Sequence, residues 1–228
     1  SVPDEKMPDL TDWMLPPLDA YTLVFVDGRC VSGSPAIADL PEAVTIGSVR
    51  AALREDPGRL SAWFGKVAVQ ESSVFSALNT VLVNDGLLLH IASGVELDRP
   101  IQAIYFSSNR EQAHMAQLRN LIVLEDGARA TLVEYFIGSP GAHYFNNNLT
   151  EMIVGQRAAL EHYRIQNESR EASHLSNLHL SQEESSSYQC VSLALGAKWS
   201  RTEYRTSFKG EHADCEFSGL YMVGDKQQ

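Results

Sequence analysis

Residues 125–136 read EDGARATLVEYF, and altered forms of this segment follow three times: IVGQRAALEHYR (153–164), QEESSSYQCVS (182–192) and FKGEHADCEFSG (208–219). Their anchors, Gly127, Gly155, Glu183 and Gly210, lie 28, 28 and 27 residues apart. A short alternating run follows each anchor. One alternating set holds Ala130, Leu132 and Glu134, then Ala158, Leu160 and His162, then Ser186, Tyr188 and Cys190, then Ala213, Cys215 and Phe217. The intervening set (Thr131, Val133; Ala159, Glu161; Ser187, Gln189; Asp214, Glu216) turns steadily more polar. The first set is therefore expected to face a core and the second to face water.

A second strand is expected ahead of each anchor, at NLIVLE, NLTEMIV, NLHLS and RTSFK. It places Leu124, Met152 and Leu180 in one column. A long period with period-2 alternation inside it is the signature of stacked coils, each built from two or three strands of about 5 residues. A helical repeat of similar length fails, because the units are rich in β-branched and aromatic residues and lack sustained i, i+3, i+4, i+7 spacing. The fold expected is mainly β: a right-handed parallel β-helix over residues 85–228, with rungs of about 28 residues. A small mixed α/β subdomain is expected over residues 1–84.

Within that first part, residues 1–20 read as an extended, proline-rich lead-in from which Trp13, Met14 and Leu15 could pack on the body. YTLVFVDGRCVSG (21–33) carries a hairpin signal with its turn at Asp27-Gly28. Ala43–Ile46 reads as a strand, Ser48 as the N-cap of a helix ended by Pro57-Gly58, and Ser73 as the cap of a second helix. On that second helix Val74, Leu78, Val81 and Leu82 share a face.

Eighteen basic against twenty-nine acidic residues give a net charge of −11, which argues against a nucleic-acid partner. No apolar run approaches the roughly 20 residues that span a bilayer, so no membrane partner is expected. Three cysteines, Cys30, Cys190 and Cys215, without paired spacing fit a reduced, cytoplasmic setting. No P-loop sequence is present, so ATP binding of that kind is not expected. Both ends read as cut, with no capping element around the last coil. That leaves an open strand edge through which the chain is expected to self-associate.

LVFVDGRCVSG (23–33), then FSALNTVLVNDGLLLHIASGVELDRPIQAIY (75–105), and further EDGARATLVEYF and LEHYRIQNES, resemble the SufB/SufD family of the Suf iron–sulfur cluster assembly system. The D-type members (SufD) are resembled more closely than the B-type (SufB), mainly through the VDGRCV hairpin. The combination of hairpin, F-x-x-L-N, D-G and P-I strand is specific; each piece alone is weak. The resemblance implies a β-helix core and a non-enzymatic scaffold subunit that pairs with a SufB-like paralogue. It also implies recruitment of a SufC-like ABC-type ATPase through C-terminal helices. The family's downstream Cys-Ser-His-Gly region and those helices are not in this sequence. The iron–sulfur cluster is thus implied for the full complex, and no cofactor is expected on this stretch, nor ATPase recruitment by it. No catalytic residue is assigned.

Two site readings stand side by side. Glu134, His162 and Cys190 fall at steps of 28 on the inward face, with Arg164 two residues after His162 and Cys215 one coil beyond Cys190. Ionisable groups rarely enter a core unpaired, so a partnered interior seam is expected: a relay for sulfur or iron, or a network that fixes register. Buried cysteine is also an ordinary small hydrophobe. His174 and His179 are poorly spaced for one metal and read as core or solvated histidines, and Glu183–Glu184 as a solvated corner. Two other functions compete: a β-solenoid carbohydrate-active enzyme, for which the outward Glu161, Gln189 and Glu216 offer only two distant acids, and a purely structural interaction module.

Overall fold

The computed structural model describes residues 18–33, 35–56, 58, 60–68, 73–224 and 226–228. The expected packing of Trp13, Met14 and Leu15, and the role of Pro57, lie outside them. The chain opens with β1 (Tyr21–Val26) and β2 (Arg29–Gly33), continues through β3 (Val44–Ser48), α1 (Val49–Glu55) and α2 (Val74–Leu82), and then winds. The winding strands are β4 (Leu87–Ile91), β5 (Ile101–Ser107), β6 (His114–Leu124), β7 (Arg129–Gly138), β8 (Tyr144–Val154), β9 (Ala159–Asn167), β10 (Ser173–Gln182), β11 (Ser187–Ala194), β12 (Trp199–Phe208) and β13 (Asp214–Tyr221). Odd-numbered strands pair in parallel to one another in a seven-stranded sheet that ends on the β1–β2 hairpin. Even-numbered strands form a six-stranded sheet that ends on β3. The architecture is a parallel β-solenoid whose two sheets face each other across one core, running from Tyr21, Leu23 and Phe25 to Tyr188 and Cys190.

Each coil has two strands, and from β6 onward these have 8 to 11 residues, longer than the expected 5. Long strands flatten the coil into two faces, so one inward set stays in line over many residues.

The step between coils also differs from the sequence expectation. Glu134 pairs with Arg164 and Leu124 with Val154, a step of 30, while Leu160 pairs with Tyr188 at 28 and Tyr188 with Cys215 at 27. Gly127 therefore does not stack on Gly155, and Leu124 does not stack on Met152, whose partner is Ile122. The lag of two residues leaves every side chain on its expected face, because the period of a strand is two.

The glycine anchors belong to two ladders with different physical causes. Gly155 and Gly210 are required by close approach: a Cβ on Gly155 would lie 2.8 Å from the Asp126 nitrogen, and one on Gly210 would press on the Glu184 nitrogen. Gly127 belongs to the other ladder, Gly94, Gly127, Arg157, Ser185 and His212, all with positive φ. Each of its first four members donates a backbone hydrogen bond to the coil above.

The hairpin, Ser48 and Ser73 are as expected. Asp27 and Gly28 both have positive φ, and the serine hydroxyls accept from the Ala51 and Ser76 nitrogens. The apolar face of α2 is not. Val74 and Val81 are 82% and 79% exposed, and the helix instead buries Ser76 and Asn79. Asn79 donates to the carbonyls of Leu118 and Asn147, and Asn147 donates to the carbonyl of Phe75. The sheet surface under α2 presents polar groups that demand partners, and that requirement outweighs the helix's apolar stripe.

Candidate functional site

The inward face of the seven-stranded sheet changes character along its strands. Leu132 and Leu160 start it as hydrocarbon; two residues further each strand carries an ionisable group. Glu134 from β7, His162 and Arg164 from β9, and Cys190 from β11 are all buried. The 30-residue step sets Glu134 level with Arg164 and diagonal to His162, so one carboxylate meets both cations. The expected single column of Glu134, His162 and Cys190 is thus corrected to a staggered cluster: His162 pairs in register with Cys190 and with Leu132.

The cluster is closely bonded. The imidazole Nε2 of His162 lies 3.0 Å from Glu134 Oε2, and Arg164 Nε donates to the same oxygen at 3.1 Å. The other carboxylate oxygen accepts from the Tyr105 hydroxyl at 3.2 Å and the Asn120 amide at 3.4 Å. The second ring nitrogen of His162 is 2.8 Å from the Tyr188 hydroxyl. Arg164 further donates to Ser176 Oγ at 2.7 Å and to the Tyr204 hydroxyl at 3.4 Å, and its guanidinium lies over the Phe136 ring.

The electrostatics follow from this geometry. Burial pushes the Glu134 carboxyl up, but His162 and Arg164 outweigh it and hold it at about 2. Burial pushes His162 down, yet neighbouring Cys190 and Glu134 raise it above the ordinary histidine value, a shift toward the imidazolium. Two ring N–H groups then donate, one to Glu134 and one to Tyr188. Burial raises the Cys190 thiol, while His162 and Arg164 pull it down further than burial lifts it. A thiolate there would bring two cations and two anions to zero net charge. Tyr105 and Tyr188 are driven well above the ordinary phenol, by burial first, and stay neutral, with Tyr105 donating to Glu134.

Cys215, though inward and level with Tyr188, does not join: burial raises its thiol, and its bonding partner is Thr206. The alternation does not pick out four members of this cluster, Tyr105, Asn120, Ser176 and Tyr204. Three of them reach it from the facing sheet, β6, β10 and β12, whose alignment against β7 and β9 no single-strand pattern reveals. Tyr188 falls in the inward set, but nothing in the sequence ties it to the network.

A second buried group lies beside the first. Glu168 accepts from Asn146 at 2.6 Å and Gln166 at 3.0 Å, and His174 Nδ1 is 2.7 Å from it. His174 and His179 are both buried core residues, and Glu184 is exposed, as expected of a solvated corner. Among the described residues no three His, Cys, Asp or Glu side chains gather closely enough to hold a metal. Nor, among them, is any helix long and apolar enough to cross a membrane. The outward Glu161, Gln189 and Glu216 do align in register, as a surface row of the sheet.

A two-sheet parallel β-solenoid with an ionic cluster sealed in its interior defines the class of protein. Comparison with known families gives the rest. Residues 105–228 match the SufBD core domain of SUF-system FeS cluster assembly, and residues 9–103 match the SufBD protein N-terminal region. The chain belongs to the SufBD family. It is 28% identical over 225 residues to an iron–sulfur cluster assembly SufBD family protein of Synechocystis sp., covering 95% of this chain and 49% of that one. It is 26% identical over 228 residues to the iron–sulfur cluster assembly protein SufD of Escherichia coli, covering 97% and 50%. It is 25% identical over 210 residues to Protein ABCI7, chloroplastic, of Arabidopsis thaliana, covering 90% and 44%. The chain spans about half the length of these relatives.

Proposed function

We propose that this chain is part of a non-catalytic, D-type scaffold subunit of Suf iron–sulfur cluster assembly. In this reading it pairs with a SufB-like paralogue and acts with a SufC-like ABC-type ATPase in the cytoplasm. The match of residues 105–228 to the SufBD core domain carries the reading. The solenoid supports it, since a rigid stack of paired strands suits a platform, and the three free cysteines fit a reducing compartment. The test is co-expression of the full-length protein with the B-type paralogue and ATPase of its own organism. A stable ternary complex that assembles a cluster from iron and sulfide is expected. A full-length protein that purifies alone under those conditions would sink the reading.

A second reading of the interior is favoured by one observation, the lowered Cys190 thiol beside His162. In it, the Cys190 thiolate attacks the outer sulfur of a persulfide carried on half-buried Cys215. A new S–S bond forms at Cys190, the old one breaks, and the Cys215 thiolate leaves. Cys190→Ser in the full-length protein separates this relay from a network that only fixes register. Unchanged cluster yield with an intact fold rejects the relay; loss of yield with an intact fold supports it.

A further inference from the structure

Six arginines of this acidic chain, Arg99, Arg110, Arg119, Arg164, Arg201 and Arg205, each face a carboxylate. Arg29, Arg50 and Arg54 have no ion pair among the described residues, and all three line one cavity of about 300 Å³. It lies where the return strand of the hairpin, α1 and the start of the solenoid meet. Arg129 and Arg157 lack an ion pair among the described residues as well, but they stand exposed on the solenoid, away from this cavity.

Local stability does not explain the grouping. Arg50 stands in the first turn of α1, right after the Ser48 cap, where the peptide dipoles disfavour a cation. The one acid among the cavity's described lining residues, Asp85, is buried and already bonded. It accepts from the Cys30 nitrogen at 3.0 Å, Ser48 Oγ at 2.7 Å, the Arg50 nitrogen at 3.1 Å and the Gly86 nitrogen at 2.8 Å. Asp85 thus ties the hairpin, the helix start and the first coil together, and it forms no direct pair with the three guanidinium groups. Three cations against one carboxylate leave two positive charges in the cavity. Buried Val49 and half-buried Leu53 supply an apolar wall.

We propose that this cavity binds a small organic phosphate, a phosphomonoester with a compact apolar or aromatic body. The dianion matches the two surplus charges. Planar guanidinium forks suit its oxygens, and the volume is at the small end of the range for small-molecule pockets. A monocarboxylate of the same size balances only one charge and binds more weakly.

Calorimetric titration of the 228-residue chain with phenyl phosphate in about 50 mM salt tests this. One-to-one binding is expected, weakened about tenfold by Arg29→Ala or Arg50→Ala, less by exposed Arg54→Ala, and not at all by Arg201→Ala at the far end. Arg50→Lys, which keeps charge but loses the fork, should fall between parent and alanine. Circular dichroism of each variant, with Arg54→Ala as the least intrusive change, keeps lost binding apart from lost fold. No saturable heat, benzoate binding as tight as phenyl phosphate, or affinity unmoved by both Arg29→Ala and Arg50→Ala would each overturn the proposal.

Discussion

Leu132 and Glu134 sit two residues apart on one strand, equally buried, facing the same interior, yet one is packed as hydrocarbon and the other is held by ionic partners. Leu132 belongs to the hydrocarbon cluster, paired with Ile101 on one side, and only its other strand partner, His162, is ionisable. Around Glu134 the core is an ionic cluster that supplies a hydrogen-bond donor to each carboxylate oxygen. A hydrocarbon rung loses energy in proportion to the methylenes removed. A charged one is balanced only as a set, because one missing member strands the others in a medium that cannot solvate them.

The largest expected effect comes from breaking that set. Glu134→Gln keeps the shape but leaves two buried cations facing each other, and should cost about 3–5 kcal/mol in urea unfolding. Leu132→Ala should cost about 2–5 kcal/mol through transfer and cavity terms. Replacing the set together, Glu134→Leu with His162→Leu and Arg164→Met, should recover most of the loss. If the triple variant is less stable than Glu134→Gln, the cluster is not energetically a unit and the contrast with Leu132 fails.

The second effect is a pH signature that only the ionic region can give. The Glu134 carboxyl is depressed in the fold, so its stabilisation is complete above the unfolded value of 4.5 and lost as pH falls toward about 2. His162 is raised in the fold, so its contribution is complete below the unfolded value of 6.5 and lost as pH rises through the folded one. Urea midpoints should therefore peak between these two unfolded values and fall on both sides. The triple variant should lose most of that curvature, while Leu132→Ala shifts the whole profile down without reshaping it. A parent-like curve in the triple variant would assign the pH dependence elsewhere, for example to Asp27, where the upward pull of burial is outweighed by His114, Ser108 and Arg110.

The same comparison explains how much is legible in the sequence. Alternation is local, so the faces of β7, β9 and β11, the hairpin and both serine caps can be read one segment at a time. Register is not local. A step of 30 in one gap and 28 in the next leaves every face unchanged, yet it decides whether Glu134 meets Arg164 or His162 squarely. Partners from the facing sheet, Asn120, Ser176 and Tyr204, depend on how two sheets align. The mismatch at α2 has the same root: the helix periodicity is clear, but the polar sheet surface that overrides it belongs to β6 and β8.

The smallest expected effect tests the corner ladder, where a left-handed glycine and a close-approach glycine look alike in the sequence. Gly127 has φ +71, and an added Cβ would meet no neighbouring atom closer than 3.8 Å, so Gly127→Ala strains only the backbone. A left-handed L-residue costs roughly 1–2 kcal/mol, partly offset by the stiffer unfolded chain, so a net loss of about 1 kcal/mol is expected. Ser185 carries the same conformation, φ 55, two coils on, and is exposed. Ser185→Gly should therefore stabilise, by about half a kcal/mol, since relief of the strain exceeds the entropy glycine brings to the unfolded state. Ser187→Gly, two residues later inside β11, should instead destabilise by roughly 0.5–1 kcal/mol. Opposite signs at Ser185 and Ser187 would establish that a stacked left-handed corner, and not small size, selects glycine along that ladder. If both serines respond alike, the ladder imposes no conformational demand, and Gly127 needs another explanation.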